Sequence, residues 1–535
     1  MAETWQAGDN MALESEPKTV EDDYQENGVQ GQDCDAPSHH PSAPPDELFD
    51  IATTVDPSYI ISLIRKLIPS HVRSTDSSHG SNVSHLEEST CLPSDNKSND
   101  NAESMEIVYD LTKSAHQGGG DEDLGDEFNR SAISAGEEVW EECGCILWDL
   151  AASRANAELM VQNLVLEVLL ANLMVAQSIR ITEICLGIIG NLACHEVPMK
   201  HIVSKSELVE TVLNKFFLDD TQCLCEVFRL LTWGLQGGEC ITWANALQSE
   251  HILSRILWVA ENTLNPQLIE KSIGLLLAIL ESQQEVMRIL LPPLMKLGFP
   301  SLLICLFTFE MGKLSDERAP ERYSALDVIL RAIEALSVVD GHSHEICSKK
   351  ELFKLICELL KLPDKIEIAT SCVTAAVLIA NFLSDVPDLA LEISQDLCFL
   401  QGLIDILPLA SDDLEARSAL WSIIARLLVL TQENDMTLSS LRQFVSVLCS
   451  KCELIEDDLL DHELDDSSTE SESQTSFSIK DNARNIALRR VVDILNRWTT
   501  STDCLEENDA MGEHHADANV GKLLECCQKH IKSSD

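Results

Sequence analysis

The chain has 535 residues, 45% of them apolar but only 5% aromatic, and a formal charge of −51. That length accommodates several separate cores or one elongated array. The charge excludes a basic face on any large region, with −20 over residues 1–130, −20 over 131–453 and −11 over 454–535, so nucleic acids and anionic membrane surfaces are repelled while basic protein partners are attracted.

Leu, Ile, Val and Ala dominate the apolar fraction, which suits interdigitating helices and predicts an all-α protein. The opening "MAETWQAGDNMALESEP" has neither a basic nor an apolar leader segment, so the nineteen cysteines are expected as reduced thiols and the sequons at Asn82, Asn96 and Asn129 lose their meaning. Cys185, Cys194, Cys305, Cys357, Cys372 and Cys398 sit among apolar neighbours, where a free thiol behaves as a small hydrophobe. Glu167 interrupts the most apolar run, "LVLEVLLANLMVA", so no stretch of roughly 18 apolar residues is expected and the chain reads as soluble, intracellular and monomeric.

In chain order, residues 1–46 form an acidic tail too poor in apolar surface to offset the entropy of ordering, and are expected to be disordered. Within 47–72, "DPSYIISLIRKLIPSHV" carries Ile60, Ile61, Leu63, Ile64 and Leu67 between Asp56-Pro57 and Pro69, the pattern of a short docking helix. Residues 73–136 read as a disordered linker, with a Gly-Gly-Gly at 118–120.

From 137 to 453 the pattern is helical and repetitive. "ILWDLA" (146–151), "IIGNLA" (188–193) and "LLTWGL" (230–235) align with Leu147, Ile189 and Leu231 at intervals of 42 residues. Related cores follow at "LLLAIL" (275–280), "AIEALS" (332–337), "LIANFL" (378–383) and "IIARLL" (423–428). Taking Asn191 as reference, the matching positions are Asp149, Asn191, Trp233, Ala278, Ala335, Asn381 and Arg426. Their spacing is that of an armadillo or HEAT unit, and about seven units predict a right-handed α-solenoid flanked by disordered acidic N- and C-terminal segments. The one long interval contains "FEMGKLSDERAPER" (309–322), which reads as an inserted loop.

Residues 454–482, "LIEDDLLDHELDDSSTESESQTSFSIKDN" in their acidic heart and its flank, are expected as a disordered acidic insertion. Ser467 and Thr469 each precede a glutamate by three residues, a setting in which an acid-directed kinase adds charge; the alternative is a solvated spacer. An amphipathic helix over 483–499 caps the array, and 500–535 is a flexible tail apart from a helical turn at "VGKLLECCQKHI".

Motifs that carry chemistry are few. In "HEVPMKH" the second histidine, His201, lies six residues from His195, whereas a helical zinc pair needs an interval of four. Cys449 with Cys452, and Cys526 with Cys527, have no second ligand pair at metal-site spacing. "GLQGG" (234–238) lacks the Gly-Lys-Ser/Thr ending of a phosphate loop and reads as a helix stop. No positioned acid, base or nucleophile appears, so no catalytic residue, cofactor or metal is expected.

One helical turn before the reference positions stand Cys145, Gly187, Arg229, Gly274, Arg331, Val377 and Ser422. None is tryptophan, so the aromatic floor on which import receptors of this type seat a basic peptide is missing. Asn191 and Asn381 either face a binding groove or satisfy neighbouring backbone groups.

"TEICLGIIGNLAC" (Thr182 to Cys194), with "LWDLA" (Leu147 to Ala151) one unit earlier, "FRLLT" (228–232) and the helix near 57–68, resembles the serum amyloid A-like (SAAL) family over roughly 137–240. The resemblance implies an armadillo-like, nuclear, non-enzymatic protein linked in animals to cell proliferation. The function expected is a scaffold that binds a protein or peptide partner on its concave face through Trp148, Asp149, Asn191, Arg229, Trp233 and Asn381. The alternative is a chaperone-associated nucleotide-exchange factor of armadillo type.

Overall fold

The computed structural model describes residues 55–69, 124–176, 178–316, 318–431, 436–466, 477–502 and 514–534, all within one compact unit that starts at Val55. No strand occurs among them. Helix α1 (Pro57–Lys66) and helix α2 (Leu124–Leu150) come first, and then helices arrive in threes. The first triplets are α3 (Arg154–Gln162), α4 (Val165–Val175) and α5 (Ile179–Ala193), then α6 (Glu196–Val203), α7 (Ser206–Asn214) and α8 (Thr221–Gln236). Next come α9 (Cys240–Leu247), α10 (Glu250–Asn262) and α11 (Pro266–Leu280), followed by α12 (Gln284–Lys296), α13 (Phe299–Asp316) and α14 (Tyr323–Ser337). The later triplets are α15 (Ser343–Cys347), α16 (Lys350–Leu360) and α17 (Ala369–Asp385), then α18 (Leu389–Ile393), α19 (Leu397–Ile406) and α20 (Leu414–Leu430). The series closes with α21 (Leu438–Ser450), α22 (Cys452–Asp466) and α23 (Phe477–Thr502), after which α24 (His514–Ser534) follows.

The third helix of each triplet packs on the third helix of the next, so α2, α5, α8, α11, α14, α17, α20 and α23 form a continuous ladder. All seven reference positions fall on it. Two residues before them stand Leu147, Ile189, Leu231, Leu276, Ile333, Ile379 and Ile424, every one buried. Each such side chain stabilises the stack by about 1.5–3 kcal/mol, which is why the pattern recurs at the unit length. The ladder helices also start alike: Ser178, Asp220, Asn265 and Asp413 each accept a backbone N–H from the first turn of α5, α8, α11 and α20. These N-caps satisfy donors that a helix start would leave bare.

Polar bonds between residues about one unit apart tie neighbours together. Trp243 Nε1 donates to Met199 Sδ at 3.3 Å, Lys215 Nζ to the Leu173 carbonyl at 3.0 Å, and a His195 ring nitrogen lies 3.2 Å from the Ala151 carbonyl. At the first edge, α1 buries Ile60, Leu63, Ile64 and Leu67 against α2 and α3. The Leu67 carbonyl accepts from Trp140 Nε1 at 3.2 Å and from buried Asn172 Nδ2 at 2.8 Å. An array of stacked units has two open ends, and α1 covers the first.

The structure corrects several expectations. Helix α2 begins at Leu124, so the stretch expected as a linker to 136 is helical over its last part. Residues 309–316, expected within an inserted loop, belong to α13, where Glu310 is 2% exposed and its Oε1 accepts from Arg322 Nη2 at 2.5 Å. The acidic stretch from 454 is helical to Asp466 and packs on α24, because Ile455 and Leu459 are buried and Asp458 finds partners across the core. Residues 477–482 open α23. The expected flexible tail contains α24, which buries Val520, Leu523 and Cys527 against α21, α22 and α23. Residues 1–46, Ser467 and Thr469 lie outside the described residues.

Two further corrections concern composition. The segment Ile366–Asp385 is long and apolar enough to cross a membrane by length and composition, contrary to the expectation that no such run exists; here it packs between α14 and α20. Of the six cysteines read as core hydrophobes, Cys185, Cys357 and Cys372 are buried, whereas Cys194, Cys305 and Cys398 are exposed.

Candidate functional site

The spacing of glycines and an amide in "TEICLGIIGNLAC" resolves into a docking surface between units. A Cβ on Gly187 would lie 2.1 Å from the Trp148 ring, and one on Gly190 would lie 2.7 Å from the Arg229 guanidinium. The two glycines are therefore notches: the first admits the indole of the preceding unit, the second the guanidinium of the following one. Ile184 sits in the same way over Gly144.

Asn191 ties these pieces together. Its Nδ2 donates to the Trp148 carbonyl at 2.8 Å, and its Oδ1 accepts from Arg229 Nη1 at 2.9 Å. Arg229 also donates to the Gly187 carbonyl at 3.2 Å and to Glu226 Oε2 at 2.5 Å. Trp148, Asn191 and Arg229, three of the six expected partner contacts, thus form one internal network spanning α2, α5 and α8. For Asn191 the geometry favours the backbone-satisfying alternative over a free groove amide. Asn381 is also bonded one unit upstream, but to a side chain rather than to backbone: its Nδ2 donates to Ser337 Oγ at 3.0 Å.

Asp149 and Trp233 differ. Asp149 is exposed at the end of α2. Trp233 is 43% exposed on α8 and stands between two recesses. The smaller, about 240 Å³, lies at the ends of α5 and α8 beside Cys194, Met199 and Gly237. The larger, about 580 Å³, runs along the ladder from α8 across α11 and α14 to the start of α17.

Three of the positions one turn before the reference residues line this larger recess: Arg229, Gly274 and Arg331. The turn before them adds Glu270, Lys271, Asp327 and Val328, and Tyr323 and Glu367 close its far side. The cations are engaged: Lys271 Nζ lies 2.8 Å from Glu270 Oε1, Arg331 Nη2 lies 2.9 Å from Glu281 Oε1, and Arg229 holds Glu226. Asp327 Oδ1 is buried and has no hydrogen-bond partner. Burial pushes its carboxyl above the ordinary aspartate range, with only the charge of Arg331 opposing. Sequence reading missed Asp327, Gly274 and Glu367; the one-turn-earlier register contained Gly274, but a search for an aromatic floor passes over it.

The arrangement offers no catalytic constellation among the described residues, and no group of three metal-ligating side chains occurs among them. His195 meets a backbone carbonyl and His201 is exposed on α6.

No protein-family model matches the chain. It is similar to Protein saal1 of Danio rerio, 26% identical over 232 residues that cover 41% of this chain and 48% of that protein. It is also similar to Protein SAAL1 of Homo sapiens, 28% identical over 138 residues that cover 25% of this chain and 29% of that one. The matches thus span about half or less of these relatives' lengths. Among solved structures it is similar to a designed armadillo repeat protein, with 13% identity, a TM-score of 0.35, and coverage of 45% of this chain and 94% of that chain.

Proposed function

The chain is an SAAL-like repeat protein of armadillo type, and on that premise we propose that it is a non-catalytic scaffold whose ladder face binds an extended segment of a protein partner. The observation that carries this reading is Trp233, a large aromatic left 43% exposed between two recesses on a face where Asn191, Arg229 and Asn381 are spent on their neighbours. Tryptophans bordering pockets are the side chains on which binding energy concentrates. The strong negative charge favours a basic partner and disfavours self-association. Nuclear residence and a link to proliferation belong to the same proposal and rest on the SAAL resemblance.

The test takes a partner identified by proximity labelling and measures its binding to the purified full chain. Trp233→Ala is expected to weaken binding at least tenfold with an unchanged unfolding midpoint. Leu391→Ala, at an exposed position on α18, is expected to change neither. Equal binding by both variants would move the interface off the ladder.

A further inference from the structure

The second helices of the triplets form a row of their own, joined by side chains that reach carbonyls of the preceding unit. Lys215 Nζ, just past α7, donates to the Leu173 carbonyl of α4 at 3.0 Å, and Arg255 Nε on α10 donates to the Phe216 carbonyl at 2.7 Å. Asn172 Nδ2 on α4 donates to the Leu67 carbonyl in the same way, and α1 packs on α2 as α4 packs on α5. Helix α1 is therefore the second helix of an incomplete first unit and α2 its third, and residues 70–123 are an insertion at the turn between them.

In the following units that same turn carries apolar side chains the array leaves bare. Met174 and Val175 end α4, Ile179 opens α5, Phe217 follows α7, and Trp258 and Leu264 stand at the end of α10 and just past it. Met174 is 71% and Trp258 51% exposed, both more than Trp233 on the ladder. The edge is continuous across units: the Phe217 ring stacks on His251 at 4.5 Å, and the Arg255 guanidinium lies 4.5 Å from the Trp258 ring. His251, Arg255 and Trp258 follow one another at single-turn intervals on one face of α10. A contiguous apolar patch of this kind marks an interaction site, unlike apolar residues scattered singly.

The insertion supplies an occupant of matching chemistry. Residues 70–123 lie outside the described residues, and their sequence is polar except for one run, "SMEIVYDLTK" (104–113), with Met105, Ile107, Val108, Tyr109 and Leu111. That run is tethered beside the edge, since the described chain stops at Pro69, next to Leu67, and resumes at Leu124. Packed helices lie about 8–10 Å apart, which puts Trp258 roughly 30 Å along the row from Leu67. At about 3.3 Å per residue, the chain from Pro69 to Ser104 reaches about 110 Å and that from Lys113 to Leu124 about 35 Å. A ligand tethered with that reach acts at an effective concentration on the order of millimolar.

We propose that residues 104–113 bind in cis along the edge from Met174 to Trp258, with Ile107, Tyr109 and Leu111 against the bare apolar side chains. This second interaction surface is separate from the ladder and does not rest on the ladder-face reading. An outside apolar segment gains the edge only by displacing the one already attached.

The probe is p-benzoylphenylalanine placed at position 258 of the purified full chain, an aromatic for an aromatic at an exposed site. Irradiation is expected to give an adduct within one chain, mapped by mass spectrometry to 104–113, in a yield independent of protein concentration. Ile107→Asp combined with Leu111→Asp is expected to lower that yield at least tenfold, and a free synthetic 104–113 peptide is expected to crosslink to this double variant. The same probe at position 391, exposed on α18, is expected to give no adduct with the segment. An adduct joining two chains would assign the edge to a second copy, and one mapped to another part of the chain would assign it to a different segment. No adduct, or a yield unchanged by the double variant, would show that 104–113 does not bind there. Each of these outcomes overturns the proposal and leaves the Trp233 reading standing, because the two surfaces share no residue.

Discussion

Replacing Asn191 by alanine strips the Trp148 carbonyl of its side-chain donor and removes one acceptor from Arg229. The neutral amide bond is worth about 0.5–1.5 kcal/mol and the charged one about 1.5–3 kcal/mol. The Arg229 side chain is 23% exposed, so water recovers part of the guanidinium's loss, and the lower ends govern, giving about 2 kcal/mol. With a urea dependence of about 2 kcal/mol per molar, the transition of the first units should move down by roughly 1 M. Unfolding would be followed by tryptophan fluorescence, with amide exchange to confirm that faster opening is centred on 147–151 and 187–193. A double-mutant cycle with Arg229→Met should return a coupling of about 1 kcal/mol, because the two side chains share one bond. An unshifted transition accompanied by lost partner binding would refute the internal role and return Asn191 to the binding surface.

Two other outcomes test the packing at the far end and the thiols. Asp458 is 6% exposed and accepts from Arg417 Nε at 3.0 Å and Trp421 Nε1 at 2.9 Å; Asp458→Ala removes the carboxylate facing a buried guanidinium that keeps its bond to the residue 458 carbonyl, and should cost about 3 kcal/mol, read as early melting of the last triplets, whereas an unchanged melt would place Asp458 in solvent. Burial raises the thiol pKa of Cys347, Cys372 and Cys527 to about 12, above the ordinary value near 8.5 for an unfolded thiol. Folded thiols thus stay protonated while unfolded ones ionise, so this stability is complete below about pH 8.5 and is lost as pH rises toward 12. At pH 8 a thiol-alkylating reagent should label exposed Cys194, Cys305 and Cys398 in the native protein and reach Cys372 only on unfolding; native labelling of Cys372 would contradict its burial.

The ladder was legible because its cause is local and repeated. Leu147, Ile189 and Leu231 recur at 42 residues because each fills the same place in the same interface, and the register they define runs on to Ile424. The notch glycines were visible as residues but not as notches, since the Trp148 indole and the Arg229 guanidinium that occupy them come from other units. The acidic run after Cys452 misled for a related reason. Its charge density reads as solvated chain, yet Asp458 is held by Arg417 and Trp421, 41 and 37 residues upstream.

What the sequence determined by itself is the period, the helical class and the identity of the buried stripe, because apolar spacing along a helix and the distance from one unit to the next are properties of the chain alone. Which polar residues are consumed inside the stack and which face a partner was decided only by tertiary structure. Asn191 and Trp233 hold the same register position, but the first is bonded to both neighbouring units while the second stands open between two recesses. That difference arises from side chains about 42 residues away, whose reach no local pattern encodes.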